Sequence, residues 1–150
     1  MKEDKQPYMR TMTTGDIPEI IEIEQRSFIS PWTRGMFVQT LASPVSHSFV
    51  MIDGQRITGY IILYQAGLEI HIMNIAVHPD HRRQGIGGAM MAGILESARA
   101  DSVELCFLEV RETNFPARAL YEKLGFKNIG KRKGYYSETN EDAIVMQLSL

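Results

Sequence analysis

Apolar residues along this chain recur with two periods, and the changes between them mark out its elements. Tyr8 to Thr13 fits a short first strand, after which Ile17, Ile20, Ile21, Glu24 and Phe28 share one side of a helical wheel. A helix over Ile17 to Phe28 follows, packed on a sheet by that face, with Asp16 as N-cap and Pro18 tolerated in the first turn. Ser30-Pro31-Trp32-Thr33 breaks it, and Thr33 caps a second short helix through Leu41. Ser48 to Ile52 and Arg56 to Tyr64 flank Asp53-Gly54-Gln55, the pattern of a β-hairpin.

The next strand, Leu68 to Val77, has a slip. Leu68, Ile70 and Ile72 share one parity, Met73, Ile75 and Val77 the other. A β-bulge near Met73-Asn74 accounts for this and would leave ladder groups free for a ligand; a strand buried on both faces accounts for it as well. Ile86, Met90, Ile94 and Ala98 then form the stripe of a helix ending near Ala100, and Val103 to Val110 is an almost wholly apolar strand interrupted by Glu109. Asn114 caps a helix over Phe115 to Leu124 that buries Ala117, Leu120, Tyr121 and Leu124 and stops at Gly125. Phe126 to Gly134 and Asp142 to Leu148 close the chain as two strands. The order predicts an α/β fold, a single mixed twisted sheet of about seven strands flanked by about four helices.

Composition narrows the function classes. The 150 residues fit one domain spanning 1–150, and a formal charge of -2 supplies no general field for nucleic acid or an anionic membrane. Any anion site must therefore be local. The single cysteine, Cys106, excludes an internal disulfide and a cysteine-rich zinc site, and its apolar setting suits a buried thiol in a reducing compartment. Met1 to Pro7 is polar and no apolar run approaches spanning length, so a cytoplasmic protein is expected.

A local anion site is offered by His78-Pro79-Asp80-His81-Arg82-Arg83-Gln84-Gly85-Ile86-Gly87-Gly88, where a strand ends in a basic, glycine-rich turn and re-emerges as a helix. Such a turn aims backbone N–H groups and the positive end of the helix dipole at one point, with Arg82 and Arg83 able to add charge-assisted hydrogen bonds. The same glycines also suit a plain tight connection. A nucleotide P-loop needs Lys-Ser or Lys-Thr after its last glycine, whereas Gly87 is followed by Gly88-Ala89; a dinucleotide fold places its fingerprint on the first strand-to-helix turn. His47, His71, His78 and His81 lack metal-ligand spacing, so no metal is expected.

Taken together, Asn74-Ile75-Ala76-Val77-His78-Pro79 and Arg82-x-x-Gly85-x-Gly87 resemble the acetyl-CoA-binding signature of the GNAT (Gcn5-related) N-acetyltransferase superfamily. Leu108-Glu109-Val110-Arg111, Asn114 and Ala119 to Phe126 are similar to its ribosomal-protein-alanine N-acetyltransferase branch, as are Pro31-Trp32, Tyr135-Tyr136 and Glu141-Asp142-Ala143. The resemblance implies acetyl-CoA as co-substrate, its pyrophosphate over the backbone of Arg83, Gln84, Gly85, Ile86, Gly87 and Gly88, and its pantetheine along Ile75, Ala76 and Val77 with a contact from Asn114. It also implies Glu109 as general base, Tyr121 as general acid and Trp32, Tyr135 and Tyr136 as walls around a protein N-terminus, that of a ribosomal protein for this branch.

Each residue has a plainer role beside the implied one. Glu109 suits an ion pair with Arg111 or another basic side chain, Tyr121 a helix face with its hydroxyl at the surface, Trp32 a core plug and Tyr135-Tyr136 a sheet surface. Lys131-Arg132-Lys133 suits a solvated edge strand or an acidic, ribosomal partner. An acceptor that is a lysine or a small-molecule amine, and a non-catalytic acyl-CoA sensor, are the competing functions.

Overall fold

Pairing of the period-two segments produces one mixed seven-stranded sheet. The computed structural model describes residues 6–150. Its strands are β1 (Tyr8–Thr11), β2 (Ser46–Asp53), β3 (Arg56–Ala66), β4 (Glu69–Val77), β5 (Leu105–Arg111), β6 (Lys127–Tyr136) and β7 (Glu141–Ser149), in the sheet order β1-β2-β3-β4-β5-β7-β6. The helices are α1 (Ile17–Ser27), α2 (Arg34–Ala42), α3 (Ile86–Ala100) and α4 (Phe115–Lys123). The β4–β5 pair is parallel and the β1–β2, β5–β7 and β6–β7 pairs are antiparallel, which gives the mixed sheet expected from the element order. Among the described residues, no helix is long and apolar enough to cross a membrane.

The chain divides into two compact units, one running up to Leu63 and including Asn74–Met91, the other made of Tyr64–Met73 and Ala92–Leu150. In the first, α1 buries Ile17, Ile20, Ile23 and Glu24, while Ile21 is half-buried and Phe28, beyond the end of the helix, is exposed. Thr33 caps α2 by accepting the Met36 N–H at 3.3 Å. Asp16 does not cap α1 with its side chain, because the carboxylate turns back to accept the Thr13 N–H at 2.8 Å and to pair with Arg10 at 2.8 Å. The hairpin glycine Gly54 has φ of 64°, the left-handed conformation its turn demands.

The second unit shows alternation where the sequence looks uniformly apolar. On β5, Cys106, Leu108 and Val110 are buried, whereas Leu105, Phe107, Glu109 and Arg111 are half-buried. The two faces of this strand are thus unequally covered, which gives Glu109 a semi-open face. Strand β6 ends the sheet order and is exposed over most of its length. Asn114 caps α4, accepting the Ala117 N–H at 3.3 Å, and Gly125, with φ of 104°, takes the left-handed position after the helix.

Burial along β4 alternates without a break from Glu69 to Val77, with Ile70, Ile72, Asn74 and Ala76 turned inward and Met73 exposed. The apolar parity slips because a polar residue, Asn74, takes an inward position. The alternation of burial accounts for the slip in apolar parity. The β4–β5 register runs from Glu69↔Leu105 to Ile72↔Leu108.

Candidate active site

The glycine-rich turn carries the backbone geometry that an anion cradle needs. Pro79–His81 forms a single 3-10 turn, after which Arg83 (φ 63°) and Gly85 (φ 79°) both adopt left-handed backbone. The Ala89 N–H bonds the Gly85 carbonyl at 2.9 Å as α3 begins, so the N–H groups of Ile86, Gly87 and Gly88 precede the first bond of the helix. A Cβ on Gly85 would meet nothing within 4 Å, so glycine is needed there for its φ and leaves the turn open. Gly59 of β3 is needed for space, since a Cβ would lie 2.9 Å from the Ala76 carbonyl and from Met90 Cε.

Arg82 is partly committed inside the protein. Its Nε donates to the Val77 carbonyl at 3.2 Å and its Nη2 to Ser27 Oγ at 3.0 Å, tying the turn to the ends of β4 and α1. Arg83 and Gln84 are exposed. Ile75 and Val77 are half-buried and Ala76 is turned inward. Trp32 is half-buried with its ring tilted against Phe37 at 5.2 Å, so it packs on the core and keeps part of its surface open.

Glu109 and Tyr121 lie in the second unit. His71 is registered with Phe107, which makes Glu109 the next residue of β5 on the same face. His71 Nε2 bonds Glu109 Oε2, and Arg132 Nη2 lies 3.5 Å from Oε1. An ionised carboxylate only accepts, so the facing ring nitrogen carries the proton. Burial pushes the Glu109 carboxyl up, but the hydrogen bond and charge of His71, with the charge of Arg132, outweigh it and hold it below the ordinary carboxylate range. The Glu109 side chain is 9% exposed and that of His71 35%, so the histidine joins an enclosed carboxylate to the surface.

Arg111 is not the partner of Glu109. It donates to Thr139 Oγ1 at 2.9 Å and pairs with Glu138 and Glu141, and its guanidinium stacks 4.0 Å from the centroid of the Tyr136 ring. Tyr136 is therefore clamped rather than loose on the sheet, while Tyr135, edge-on to it at 5.1 Å, is exposed. Tyr121 is buried as a whole at 7% exposure. Burial, with Tyr136 contributing, pushes its phenol up to about 12, so it keeps its proton at neutral pH. Burial likewise raises Tyr136 to about 12 against the opposing charge of Arg111, with Glu109 adding to the rise. The exposed Asn114 spends its Oδ1 on the helix cap.

Cys106 is buried, and burial pushes its thiol up to about 12, which leaves it unreactive. The basic run is partly used at home, with Lys131 2.8 Å from Glu112 and Arg132 beside Glu109. The partners of His71 and Glu24 escaped the sequence reading, which placed Glu24 only on the apolar face of a helix and His71 only among histidines without metal spacing. Both had the same faint signal, a polar residue on a segment otherwise patterned for burial.

Comparison with known proteins identifies the family. The family model described as Acetyltransferase (GNAT) family matches residues 17–126. The [ribosomal protein bS18]-alanine N-acetyltransferase of Escherichia coli (strain K12) is 34% identical over 142 residues, covering 93% of this chain and 95% of that protein. The N-alpha-acetyltransferase RimI of Mycobacterium tuberculosis is 32% identical over 154 residues, with 98% and 96% covered. The crystal structure of the ribosomal-protein-S18-alanine N-acetyltransferase from Escherichia coli superposes with a TM-score of 0.90 at 32% identity, over 96% of this chain and 94% of that one. An open left-handed turn at a helix N-terminus, a histidine-held carboxylate and agreement along nearly the whole chain lead to one assignment: the protein belongs to the GNAT acetyltransferase family and is an N-acetyltransferase.

Proposed function

We propose that this enzyme acetylates the α-amine of a protein N-terminus, with acetyl-CoA as donor, by direct attack of the amine in a ternary complex in the cytoplasm. The names of its relatives point to the N-terminal alanine of ribosomal protein bS18 as the acceptor. The observation that carries the choice of amine is the carboxylate of Glu109, held low by His71 and Arg132. A carboxylate held low is a weak base. It suits an acceptor that is already substantially neutral near pH 8, as an α-amine is with its pKa of about 7.7–8.0, better than a lysine near 10.4.

The residues present fit the cofactor. The turn at Arg83–Gly88 offers left-handed backbone and free helix N–H groups to a pyrophosphate. Ile75–Val77 lies beyond the last registered β4–β5 pair, at Ile72↔Leu108, and its backbone suits the peptide-like amides of pantetheine. Asn114 retains its amide N–H₂ for the same arm. Bound acetyl-CoA supplies an acetyl thioester whose thiolate departs as the amide forms.

Glu109 accepts the proton that the amine nitrogen sheds as its bond to the acetyl carbon forms, while the His71 N–H, donating to its other face, holds the carboxylate in place. Tyr121, protonated at working pH, holds at its Oη the proton required by the departing sulfur. Trp32, Tyr135 and Tyr136 contribute aromatic surface for an extended peptide, with Tyr136 held in place by Arg111. Incubation with acetyl-CoA and peptides that differ only in a free or blocked N-terminus, followed by mass spectrometry, tests the acceptor. Modification of the free α-amine is expected; acetylation confined to lysines of the blocked peptides overturns the proposal.

A further inference from the structure

We propose that Glu24 is the positioning residue of the acceptor-binding wall, its buried carboxylate fixing the backbone of Trp32 to strands β3 and β4. The proposal rests on the reading that Trp32 contacts the acceptor peptide. Glu24 is 1% exposed on the inward face of α1. Its Oε2 accepts the Trp32 N–H at 2.9 Å, and its Oε1 accepts the Tyr60 hydroxyl at 2.5 Å and the Asn74 amide at 2.8 Å. All three partners are neutral, so the carboxylate is buried by hydrogen bonding to fixed donors.

An apolar side chain at this position would continue the stripe of Ile17, Ile20 and Ile23 without the cost of burying a charge. What it would not do is hold a loop amide. Trp32 lies between the end of α1 at Ser27 and the start of α2 at Arg34, in a connection where Phe28 and Ile29 are exposed. Its backbone is tied down by Glu24 and its ring rests on Phe37. Phe37 in turn stands edge-on to Tyr60, with ring centroids 6.2 Å apart and planes at 87°.

Tyr60 therefore supports the tryptophan twice, through the ring of Phe37 and through the carboxylate. Burial, with the charge and hydrogen bond of Glu24, pushes the Tyr60 phenol far above its ordinary range, so it stays a donor. The third donor, Asn74, immediately precedes Ile75–Val77, the stretch assigned to pantetheine. One carboxylate thus sets both the loop that would meet the acceptor and the strand residue next to the donor's path. It also explains why a polar asparagine occupies an inward position of β4.

The only tryptophan in the chain is Trp32, so tryptophan emission reports this loop directly. The test compares Glu24→Met, Glu24→Gln and Tyr60→Phe by tryptophan emission, acrylamide quenching and steady-state kinetics in both substrates. Glu24→Met is expected to red-shift the emission, increase quenching and raise the peptide KM about tenfold, with kcat and the acetyl-CoA KM within about twofold. Glu24→Gln is expected to restore emission and peptide KM, because its carbonyl can still accept the Trp32 N–H while Asn74 flips its amide and Tyr60 turns its hydroxyl. Tyr60→Phe, which leaves the Trp32 bond in place, should lower thermal stability without changing the peptide KM.

If Glu24→Met does not fold, Glu24→Asp keeps the charge and withdraws it from the loop, and should move emission and KM in the same direction. Unchanged tryptophan emission in the folded variants overturns the positioning role. Altered emission with an unchanged peptide KM overturns the link to substrate through the reading of Trp32, leaving the carboxylate's hold on the loop established. A parallel fall of kcat and rise of both KM values in proportion to lost stability overturns the proposal in favour of a purely structural network.

Discussion

Glu24 and Glu109 are both drawn from water, yet their surroundings differ in one respect that separates their roles. Glu24 accepts hydrogen bonds from a backbone amide, a phenol and a side-chain amide. These donors hold their protons throughout the physiological range, and such a site fixes geometry. Glu109 faces His71 and Arg132, the first of them itself 35% exposed. A carboxylate held by solvent-reaching partners is open to the surface in a way that Glu24 is not. Burial separates the two only in degree; the chemistry of the donors separates them in kind.

The largest effect that would break this contrast is at Glu109. Glu109→Gln is expected to lower kcat/KM by about 10²–10⁴, with acetyl-CoA affinity unchanged by calorimetry. Glu24→Gln, the same change at the other carboxylate, should come close to wild type. Equal losses in the two variants would erase the distinction. Tyr121→Phe should lower kcat by about 10², the lower end of a general acid's contribution, and leave the peptide KM in place.

His71→Gln sharpens the comparison by making the partner of Glu109 resemble those of Glu24. A loss of about tenfold in kcat/KM is expected at pH 7, within the general-base contribution proposed for Glu109. Loss of the histidine's hydrogen bond and charge lets burial raise the carboxyl, so the acid limb of the pH–rate profile should move to higher pH. The stability effect has the opposite direction in pH. Because the folded-state pKa of Glu109 is depressed, its ion stabilises the fold above the ordinary carboxylate pKa of about 4.3, and that contribution disappears as pH falls through the depressed value. Thermal melts should therefore show the gap between wild type and Glu109→Gln narrowing in acid. The smallest change is Asn114→Ala, which removes the α4 cap and should cost about 1 kcal/mol in chemical denaturation.

Most of the fold was legible because its elements announce themselves locally. Thr33 and Asn114 cap the helices that follow them, Gly54 and Gly125 take the left-handed conformations their turns require, and the glycine turn opens a helix as its composition indicates. Asp16 misled because a short acid before a helix caps it only when no better partner exists, and Arg10 with the Thr13 N–H is better. Glu109 and Tyr121 stood out as chemistry, but their electrostatics did not. Arg111, the nearest base in sequence, turns to Glu138 and Glu141, while the operative partner, His71, comes from a strand 38 residues earlier.

Caps, turns, periodicity and the left-handed glycine-rich turn that opens α3 are properties of contiguous residues, set by backbone sterics and short-range hydrogen bonds, and the sequence determined them by itself. The same is true of the family, which spaced motifs disclose. Which inward-facing polar residue meets which donor was decided only in three dimensions. Parallel pairing of β4 with β5 carries His71 to Glu109, and packing of α1 on β3 and β4 brings Glu24 to Tyr60 and Asn74. The pKa of a carboxylate and the rigidity of a loop depend on those long-range partners. No local pattern encodes them.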